Sequence, residues 1–316
     1  MRLVVPPALP PAAVFGLITP GSPADRRVVA EGVRWLERQG FGWSATARDG
    51  ARRPASKDVL HAGNPRARAR ELHRAWEEPE VDGLLCVRGG VGCLGVLPHL
   101  DFERLAARPR WLLGMSDVTA LQLALWARTG IASLSCAMPV QLTPPVARET
   151  TRSWIAATRG LGSAHSPRID GLRVLRGGRA EGPLVPANLS LLSRLIGTPY
   201  LPSLRGCILV LEDIHESRQS IDRMLSHLDL AGISSDLAGI VLAQFTQCGP
   251  SGRARAGTPS AADLLATWAA GLGVPALAGY PYGHERRTRA LPLGVEARLR
   301  TRPAELFWDD FAAFAH

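Results

Sequence analysis

The chain has 316 residues, of which 46% are hydrophobic and 21% charged, so two domains of ordinary size are expected and a disordered or fibrous protein is excluded. No run of about 18 apolar residues occurs, which excludes a membrane-spanning helix. The net charge is +9, but its arginines are scattered among acidic residues without a compact basic arm, which argues against nucleic-acid binding. Genomic base composition and a carboxylate-bearing substrate explain the charge equally well.

Cysteine, histidine and lysine exclude several kinds of site. The five cysteines are odd in number and contain no C-x-x-C pair, which predicts free thiols in a reducing compartment. The eight histidines are dispersed without an H-E-x-x-H motif, so no metal site is expected. The only lysine, Lys57, follows no G-x-x-x-x-G and therefore excludes a P-loop. No signal peptide is recognised before the first strand, and we expect a cytoplasmic protein.

The first half of the chain alternates strands with helices. An apolar strand at 14–18 is followed by a helix that Ser22 would cap, with Pro23 at its first position and Gly40 at its end. Further strands are predicted at 41–45, 81–87, 111–113 and 131–135, and helices at 67–76, 94–97, 102–107 and 118–128. This alternation predicts a mostly parallel sheet covered by helices on both faces.

The pattern breaks at 159–171, which is rich in Gly, Ser and Pro, and we expect domains at 1–165 and 166–316. Strands are predicted in the second half at 172–175, 180–185, 207–211, 237–244 and 295–299, and helices at 188–195, 221–230 and 261–270. The Gly-, Ser- and Arg-rich segment 247–259 is a candidate mobile loop.

A serine lies at the sharp turn between the strand at 111–113 and the following helix. Ser116 in this position resembles a nucleophile elbow, whose hydroxyl is exposed at a helix N-terminus, and the N–H of Asp117 is then a candidate oxyanion donor. A helix cap formed by Ser116 or Asp117 explains the same residues, because the second glycine of a hydrolase elbow is missing.

A glycine-rich loop, Arg88-Gly89-Gly90-Val91-Gly92, directly follows the strand at 81–87. Glycines allow backbone N–H groups to approach an anion closely, although an ordinary strand-to-helix turn has the same appearance. The spacing is not the G-x-G-x-x-G of a dinucleotide site. Because loops at the carboxyl ends of neighbouring strands share one crevice, this loop and Ser116 are expected to lie together.

Two further groups follow apolar strands in the second half. Glu212 and Asp213 form a carboxylate pair that either orients a histidine or begins the next helix. His284 follows Gly283 in a loop and is either a general base or a surface histidine. Ser116, Glu212 and His284 are together the residue types of a nucleophile, an orienting acid and a base.

Short motifs spread over nearly the whole chain resemble the LD-carboxypeptidase family of serine peptidases, which includes muramoyltetrapeptide carboxypeptidases and microcin C immunity peptidases. The motifs are ITPGSP from residue 18, RGGVG from 88, LPHLD from 97, GMSDVTAL from 114, NL from 188, GTPY from 197, LEDI from 211, DR from 222 and GH from 283. Their number and order make the resemblance specific.

The resemblance implies a flavodoxin-like N-terminal domain, akin to class I glutamine amidotransferases, and a smaller C-terminal α/β domain of swivelling architecture. It implies a catalytic triad of Ser116, His284 and Glu212 and an oxyanion hole from the backbone of Asp117 and of Gly90 or Gly89. Arg88 and Asn188 are the candidate substrate-binding residues.

The expected reaction is removal of a C-terminal D-amino acid from a small peptide with a terminal carboxylate, as in muropeptide recycling, by a homodimer without metal or cofactor. There are three departures from the family pattern: Val91 replaces an aromatic residue, Met115 a tyrosine, and Pro186-Ala187 a Gly-Gly pair. Because these changes could reshape the pocket, cleavage of a peptidyl-nucleotide antibiotic is the alternative. A muropeptide-binding protein without turnover is a weaker one.

Overall fold

The computed structural model describes residues 2–44, 60–163, 169–249 and 259–311. Lys57, the end of the strand expected at 41–45, most of the candidate mobile loop and the expected domain boundary lie outside the described residues. Nowhere in the described ranges is a helix both long and apolar enough to cross a membrane.

The described strands form two sheets. They are β1 (Val14–Ile18), β2 (Gly42–Trp43), β3 (Gly83–Cys86), β4 (Trp111–Gly114), β5 (Ser133–Ser135), β6 (Arg173–Arg176), β7 (Arg179–Asn188), β8 (Ile208–Ile214), β9 (Gly239–Thr246), β10 (Ala276–Ala278), β11 (Leu291–Leu293), β12 (Glu296–Thr301) and β13 (Ala304–Phe307). The first sheet has the order β11-β5-β4-β3-β1-β2, and the second β13-β12-β7-β8-β9-β10-β6.

The described helices cover these sheets. They are α1 (Arg26–Arg38), α2 (Pro65–Glu77), α3 (Cys93–Val96), α4 (Phe102–Ala107), α5 (Thr119–Thr129), α6 (Arg148–Thr158), α7 (Leu189–Leu195), α8 (Arg218–Leu230), α9 (Ile233–Asp236) and α10 (Ala261–Gly271). Short 3-10 turns lie at Leu97–His99, Ser116–Val118 and Pro139–Gln141.

The first sheet has the flavodoxin-like order 2-1-3-4-5, with parallel pairing throughout these five strands. Successive residues of β3 enter different cores: Leu84 packs with the cluster of α2 and α5, and Leu85 with the cluster that contains Trp35 and Trp154. Both faces are therefore buried, as the alternation of strands and helices predicts, and the expected fold class is confirmed.

The second sheet is parallel at its centre, from β7 to β10, and antiparallel at its edges. Its strand β8 also faces two cores, with Leu209 in the cluster shared with the first domain and Val210 in a separate one. Because one hydrophobic cluster contains residues of both α5 and α7, the two domains are joined through a continuous core.

Strand β11 lies in the first sheet although it comes from the second half of the chain. Residues Leu291–Leu293 pair antiparallel with β5 and extend the sheet beyond the parallel strands. The loop that carries His284 lies between β10 and β11, so it runs from one sheet to the other.

The structure corrects two element predictions and adds elements that were not predicted. Helix α1 begins at Arg26 with Asp25 as its N-cap, rather than after Ser22. The Ser22 hydroxyl instead donates to the carbonyl of Leu60 at 2.6 Å. Strand β8 continues to Ile214, so the carboxylate pair lies within the strand and not after it. Helices α6 and α9 and strands β11 and β13 were not predicted.

Candidate active site

Ser116 lies on a strained turn at the carboxyl end of β4. Its φ of 63° is in the left-handed region, which side-chain-bearing residues adopt rarely and mostly at functional sites. Its neighbours Met115 and Asp117 are buried, whereas Ser116 is partly exposed. The turn therefore holds the serine hydroxyl at the surface above the sheet edge, as in a nucleophile elbow.

The glycine loop packs directly on this turn. A Cβ at Gly89 would lie 3.0 Å from the Ser116 Cβ and 3.1 Å from the Asp117 nitrogen. Gly90 has a φ of 91°, and a Cβ there would lie 2.4 Å from the Ser22 Oγ. Gly90 therefore has room for glycine alone, and a side chain at Gly89 would crowd the Ser116 turn. The close approach brings two backbone segments with N–H groups beside Ser116.

Ser22 fixes the glycine loop from the end of β1. Its N–H donates to the Gly89 carbonyl at 3.0 Å, and its Oγ accepts from the Val91 N–H at 2.9 Å. The carboxyl ends of β1, β3 and β4 therefore meet at one point, where a fold of this topology binds its ligands. Sequence reasoning assigned Ser22 to a helix cap and missed this role.

The side chain of Asp117 faces away from Ser116 into the protein. It is 3% exposed and its Oδ2 accepts from the Cys93 N–H at 2.9 Å. Burial raises the pKa of Asp117, although the Cys93 N–H and the Arg68 charge oppose the shift. The carboxylate is thus engaged inside the protein, whereas the Asp117 backbone nitrogen lies against the glycine loop, 3.1 Å from where a Cβ at Gly89 would be.

Glu212 and His284 are hydrogen-bonded across 72 residues of sequence. The Nδ1 of His284 lies 2.7 Å from the Glu212 Oε2. Glu212 is fully buried, while the His284 side chain is 16% exposed. Since an ionised carboxylate only accepts hydrogen bonds, Nδ1 is the donor and the neutral ring presents Nε2 as an acceptor.

Competing effects set the pKa of His284. Burial lowers this pKa, but the hydrogen bond and charge of Glu212, together with the charge of Asp213, outweigh burial and raise it above its ordinary value. The imidazolium form is therefore stabilised by the carboxylates behind it, which suits a base that must hold a proton during a reaction.

Asn188 joins the two domains at this pair. Its Nδ2 donates to the Glu212 Oε1 at 3.1 Å and to the Asp213 Oδ1 at 2.9 Å, because the parallel register of β7 and β8 places it opposite Glu212. Its backbone N–H donates to the Thr119 Oγ1 at 3.3 Å, at the start of the helix after Ser116.

Asn188 was expected to contact the substrate, but the structure uses its side chain inside the protein. The residue is 2% exposed, both hydrogens of its amide are donated to carboxylates, and its Oδ1 accepts from the Leu191 N–H at 3.1 Å as the N-cap of α7. All its polar atoms are thus used inside the protein, and the amide positions Glu212 instead.

Asp213 is a second buried carboxyl behind the pair. Burial, followed by the charge of Glu212, raises its pKa to about 7. Its oxygens accept from Asn188, from the Ile214 N–H at 2.8 Å and from the Ser190 N–H at 2.9 Å. These hydrogen bonds only partly offset the cost of burial, so the Asp213 carboxyl is partly protonated near neutral pH.

The loop that carries His284 is anchored to the first domain. The Tyr282 hydroxyl and the Ser135 Oγ lie 2.6 Å apart, and Glu149 on α6 pairs with Arg289 at 2.7 Å and also with Arg287. These contacts between distant parts of the chain had no local signal in the sequence.

A cavity of about 840 Å³ lies beside the glycine loop, between α2–α3 and α7. The described residues that line it are His61, Gly63, Asn64, Pro65, Arg68, Gly90, Val91, Gly92, Leu94, Gly95, Asp117, Ser190, Leu191 and Arg194. Arg88 is not among them, since its Nη1 donates to the Pro23 carbonyl at 3.0 Å.

The structure brings Glu212, His284, Asn188 and Asp213 into one hydrogen-bonded network, and it brings Gly89 and Gly90 onto the Ser116 turn. Throughout the described ranges, the Ser116 Oγ makes no hydrogen bond, to His284 or to any other group. In unliganded enzymes this bond is often long and shortens when substrate binds.

Comparisons with known proteins agree with this fold. The family model of the LD-carboxypeptidase N-terminal domain matches residues 15–136, and that of the C-terminal domain matches residues 181–299. The chain is therefore a serine-type peptidase, a hydrolase. It belongs to the LD-carboxypeptidase family, as its motifs predicted.

Two relatives in sequence are carboxypeptidases of murein peptides. A probable murein peptide carboxypeptidase of Bacillus subtilis is 31% identical over 94% of this chain and 91% of its own. The murein tetrapeptide carboxypeptidase of Pseudomonas aeruginosa is 32% identical over 90% of this chain and 92% of its own.

Two solved structures have the same fold. The wild-type unliganded microcin C7 self-immunity protein MccF matches with a TM-score of 0.84 at 21% identity, over 98% of this chain and 99% of its own. A muramoyltetrapeptide carboxypeptidase from Oxalobacter formigenes matches with a TM-score of 0.78 at 24% identity, over 93% of this chain and 97% of its own. At this identity the likeness shows the fold alone.

Proposed function

We propose that this protein hydrolyses the amide bond before the C-terminal D-amino acid of a murein tetrapeptide and leaves a tripeptide, through an acyl-enzyme on Ser116. The observation that carries the proposal is the 2.7 Å contact between His284 Nδ1 and the buried Glu212. It orients a neutral imidazole as a base, in a family whose sequence relatives are named for murein peptides.

In the acylation step the Ser116 Oγ attacks the scissile carbonyl carbon, while His284 Nε2 takes the hydroxyl proton. Glu212 holds the tautomer and stabilises the imidazolium. The carbonyl oxygen becomes an oxyanion that accepts hydrogen bonds from the backbone of Asp117 and of the Gly89–Gly90 loop. The C–N bond then breaks, and His284 returns its proton to the leaving amine of the D-amino acid.

In the deacylation step water replaces the amine. His284 takes a proton from the water as its oxygen attacks the ester carbonyl, the bond to the Ser116 Oγ breaks, and the serine regains its proton from His284. The tripeptide leaves with a new carboxylate. Both steps use the same base and the same oxyanion donors, so one arrangement of residues serves the complete cycle.

The alternative substrate is a peptidyl-nucleotide antibiotic. MccF, solved in complex with aspartyl sulfamoyl adenosine, has this fold. Nucleobases are commonly bound by stacking on aromatic side chains, and none of the described residues lining the cavity is Phe, Tyr or Trp. This lining favours the muropeptide. The expected homodimer remains a prediction.

The test is D-alanine release from murein tetrapeptide, followed by mass spectrometry. Wild-type protein releases D-alanine, and Ser116→Ala loses about 10⁴- to 10⁶-fold in rate, the size of loss that follows removal of a triad nucleophile. Ser235→Ala, a matched change at an exposed serine, keeps the wild-type rate. Equal release by wild type and Ser116→Ala contradicts the proposed mechanism. Absence of release by folded wild type contradicts the proposed substrate.

A further inference from the structure

The cavity beside the glycine loop is lined by residues of both domains. Gly90 and Asp117, which belong to the glycine loop and the nucleophile turn, line it together with Leu191 and Arg194 on α7. Its volume of about 840 Å³ is in the range of small-molecule sites. A peptide whose carbonyl is held by the backbone of Gly90 and Asp117 therefore extends naturally into this cavity.

The charges on the described lining favour an anion. Asp117 is the one carboxylate among those lining residues, and it is engaged with the Cys93 N–H. Arg68 and Arg194 both contribute guanidinium groups. Arg68 is 2% exposed and donates to the carbonyls of Gly63, at 3.0 Å, and Pro20, so it supplies positive charge from within the wall.

Arg194 is exposed and held on one side only. Its Nη1 donates to the Ser190 carbonyl at 2.6 Å and also to the Ser190 Oγ. The Nε and Nη2 groups have no partner among the residues that the structure describes. A guanidinium held in this way presents N–H groups in the fork geometry that binds a carboxylate with two hydrogen bonds.

Helix α7 links Arg194 to the triad. The helix begins at its N-cap Asn188, which contacts Glu212, and Arg194 lies six residues later, about 9 Å along the axis. The Ser190 N–H is in turn fixed by Asp213 at 2.9 Å. The carboxylate of a carboxypeptidase substrate lies one residue beyond the scissile amide, so it must be recognised close to the nucleophile turn, and Arg194 lines the cavity that Gly90 and Asp117 also line.

We propose that Arg194 binds the terminal carboxylate of the substrate in this cavity, and so gives the enzyme its requirement for a free C-terminus. The inference rests on the proposed function and adds the residue that recognises the carboxylate. Arg194 thus takes the role that the sequence analysis expected of Arg88. Arg88 does not line the cavity, and it donates to the Pro23 carbonyl.

The test compares a murein tetrapeptide ending in D-alanine with the same peptide ending in D-alaninamide. Wild-type kcat/KM falls about 10- to 100-fold on amidation, the effect of losing charge-assisted hydrogen bonds. Arg194→Gln cleaves the carboxylate peptide about 10- to 100-fold less efficiently, through KM, and no longer distinguishes it from the amide. Arg194→Lys keeps part of the discrimination, because an ammonium gives charge without the fork.

Arg152→Gln, which removes an exposed positive charge on α6, is the matched control and keeps the wild-type ratio. Arg194→Gln that still discriminates between the peptides overturns the inference, and so does an equal loss on both. Calorimetric binding of the two peptides to Ser116→Ala, with and without Arg194→Gln, gives the same ratio without turnover. Failure of the proposed reaction and failure of the Arg194 inference are thus distinguished.

Discussion

Ser116 owes its position to a few neighbouring residues, whereas Glu212 and His284 meet across 72 residues and between two sheets. The serine turn follows directly from the end of β4, and its left-handed φ belongs to that turn. The carboxylate–histidine pair depends on the register of β7 and β8 and on a loop that runs to the first sheet. The serine turn is thus the local half of the site and the carboxylate–histidine pair is its non-local half. Each half can be perturbed separately.

Among variants that leave Ser116 in place, the largest expected effect comes from breaking the non-local half alone. Glu212→Gln leaves the Ser116 turn intact but removes the charge that stabilises the imidazolium, and kcat falls about 10³- to 10⁴-fold. The rate is measured as D-alanine release. Glu305→Gln, at an exposed position of β13, is the matched control. A loss of less than about tenfold in folded Glu212→Gln contradicts the assigned role.

Asn188 is the next target because it connects the halves. Asn188→Ala leaves the buried Glu212 and Asp213 without a shared donor and removes the cap of α7. We expect the free energy of unfolding to fall by about 3 kcal/mol, as measured by urea denaturation. Asn64→Ala, which removes only a cap at an exposed helix start, costs about 1 kcal/mol. Equal losses in the two variants mean that the carboxylate contacts contribute nothing.

The smallest expected effect is a pH dependence of stability from Asp213. Its pKa is raised in the folded protein to about 7, so folding is favoured by protonation and this contribution is lost as the pH rises through 7. Between pH 5 and pH 8 the free energy of unfolding falls by about 2–3 kcal/mol.

Denaturation of wild type and Asp213→Asn across this range isolates the contribution. The variant is less stable overall, because an amide N–H group of the new Asn side chain faces the Ser190 N–H. Its plot of stability against pH lacks the part of the slope that Asp213 supplies. In the wild type His284 contributes with the same sign, since its pKa is also raised, and it contributes less in the variant because the Asp213 charge is one cause of that shift. Identical slopes in the two proteins show that Asp213 does not titrate as described.

Much of the fold was predictable because its signals are local. The strands β1, β3 and β4 are apolar runs, and helix α4 was predicted with its observed bounds at Phe102–Ala107. Strand β11 had no such signal, since Leu-Pro-Leu becomes a strand only through pairing with β5. The start of α1 was wrong because the Ser22 hydroxyl is used by Leu60 and Val91, distant in sequence.

The site divides in the same way. Ser116 and the glycine loop were recognisable from glycines and a serine at strand ends. The role of Asn188 was not, because it follows from the residue opposite it on the neighbouring strand. Arg194 has no motif, and only the packing of α7 against the first domain places it on the cavity.

The most direct test of the central claim, a serine activated by His284 across the domain junction, is labelling with a fluorophosphonate followed by peptide mass spectrometry. We predict a single adduct on Ser116. Its rate of formation rises with pH about a midpoint above the ordinary histidine pKa of about 6.5 and falls at least about 100-fold in His284→Ala. An adduct on another residue, or a labelling rate unchanged in His284→Ala, contradicts the account.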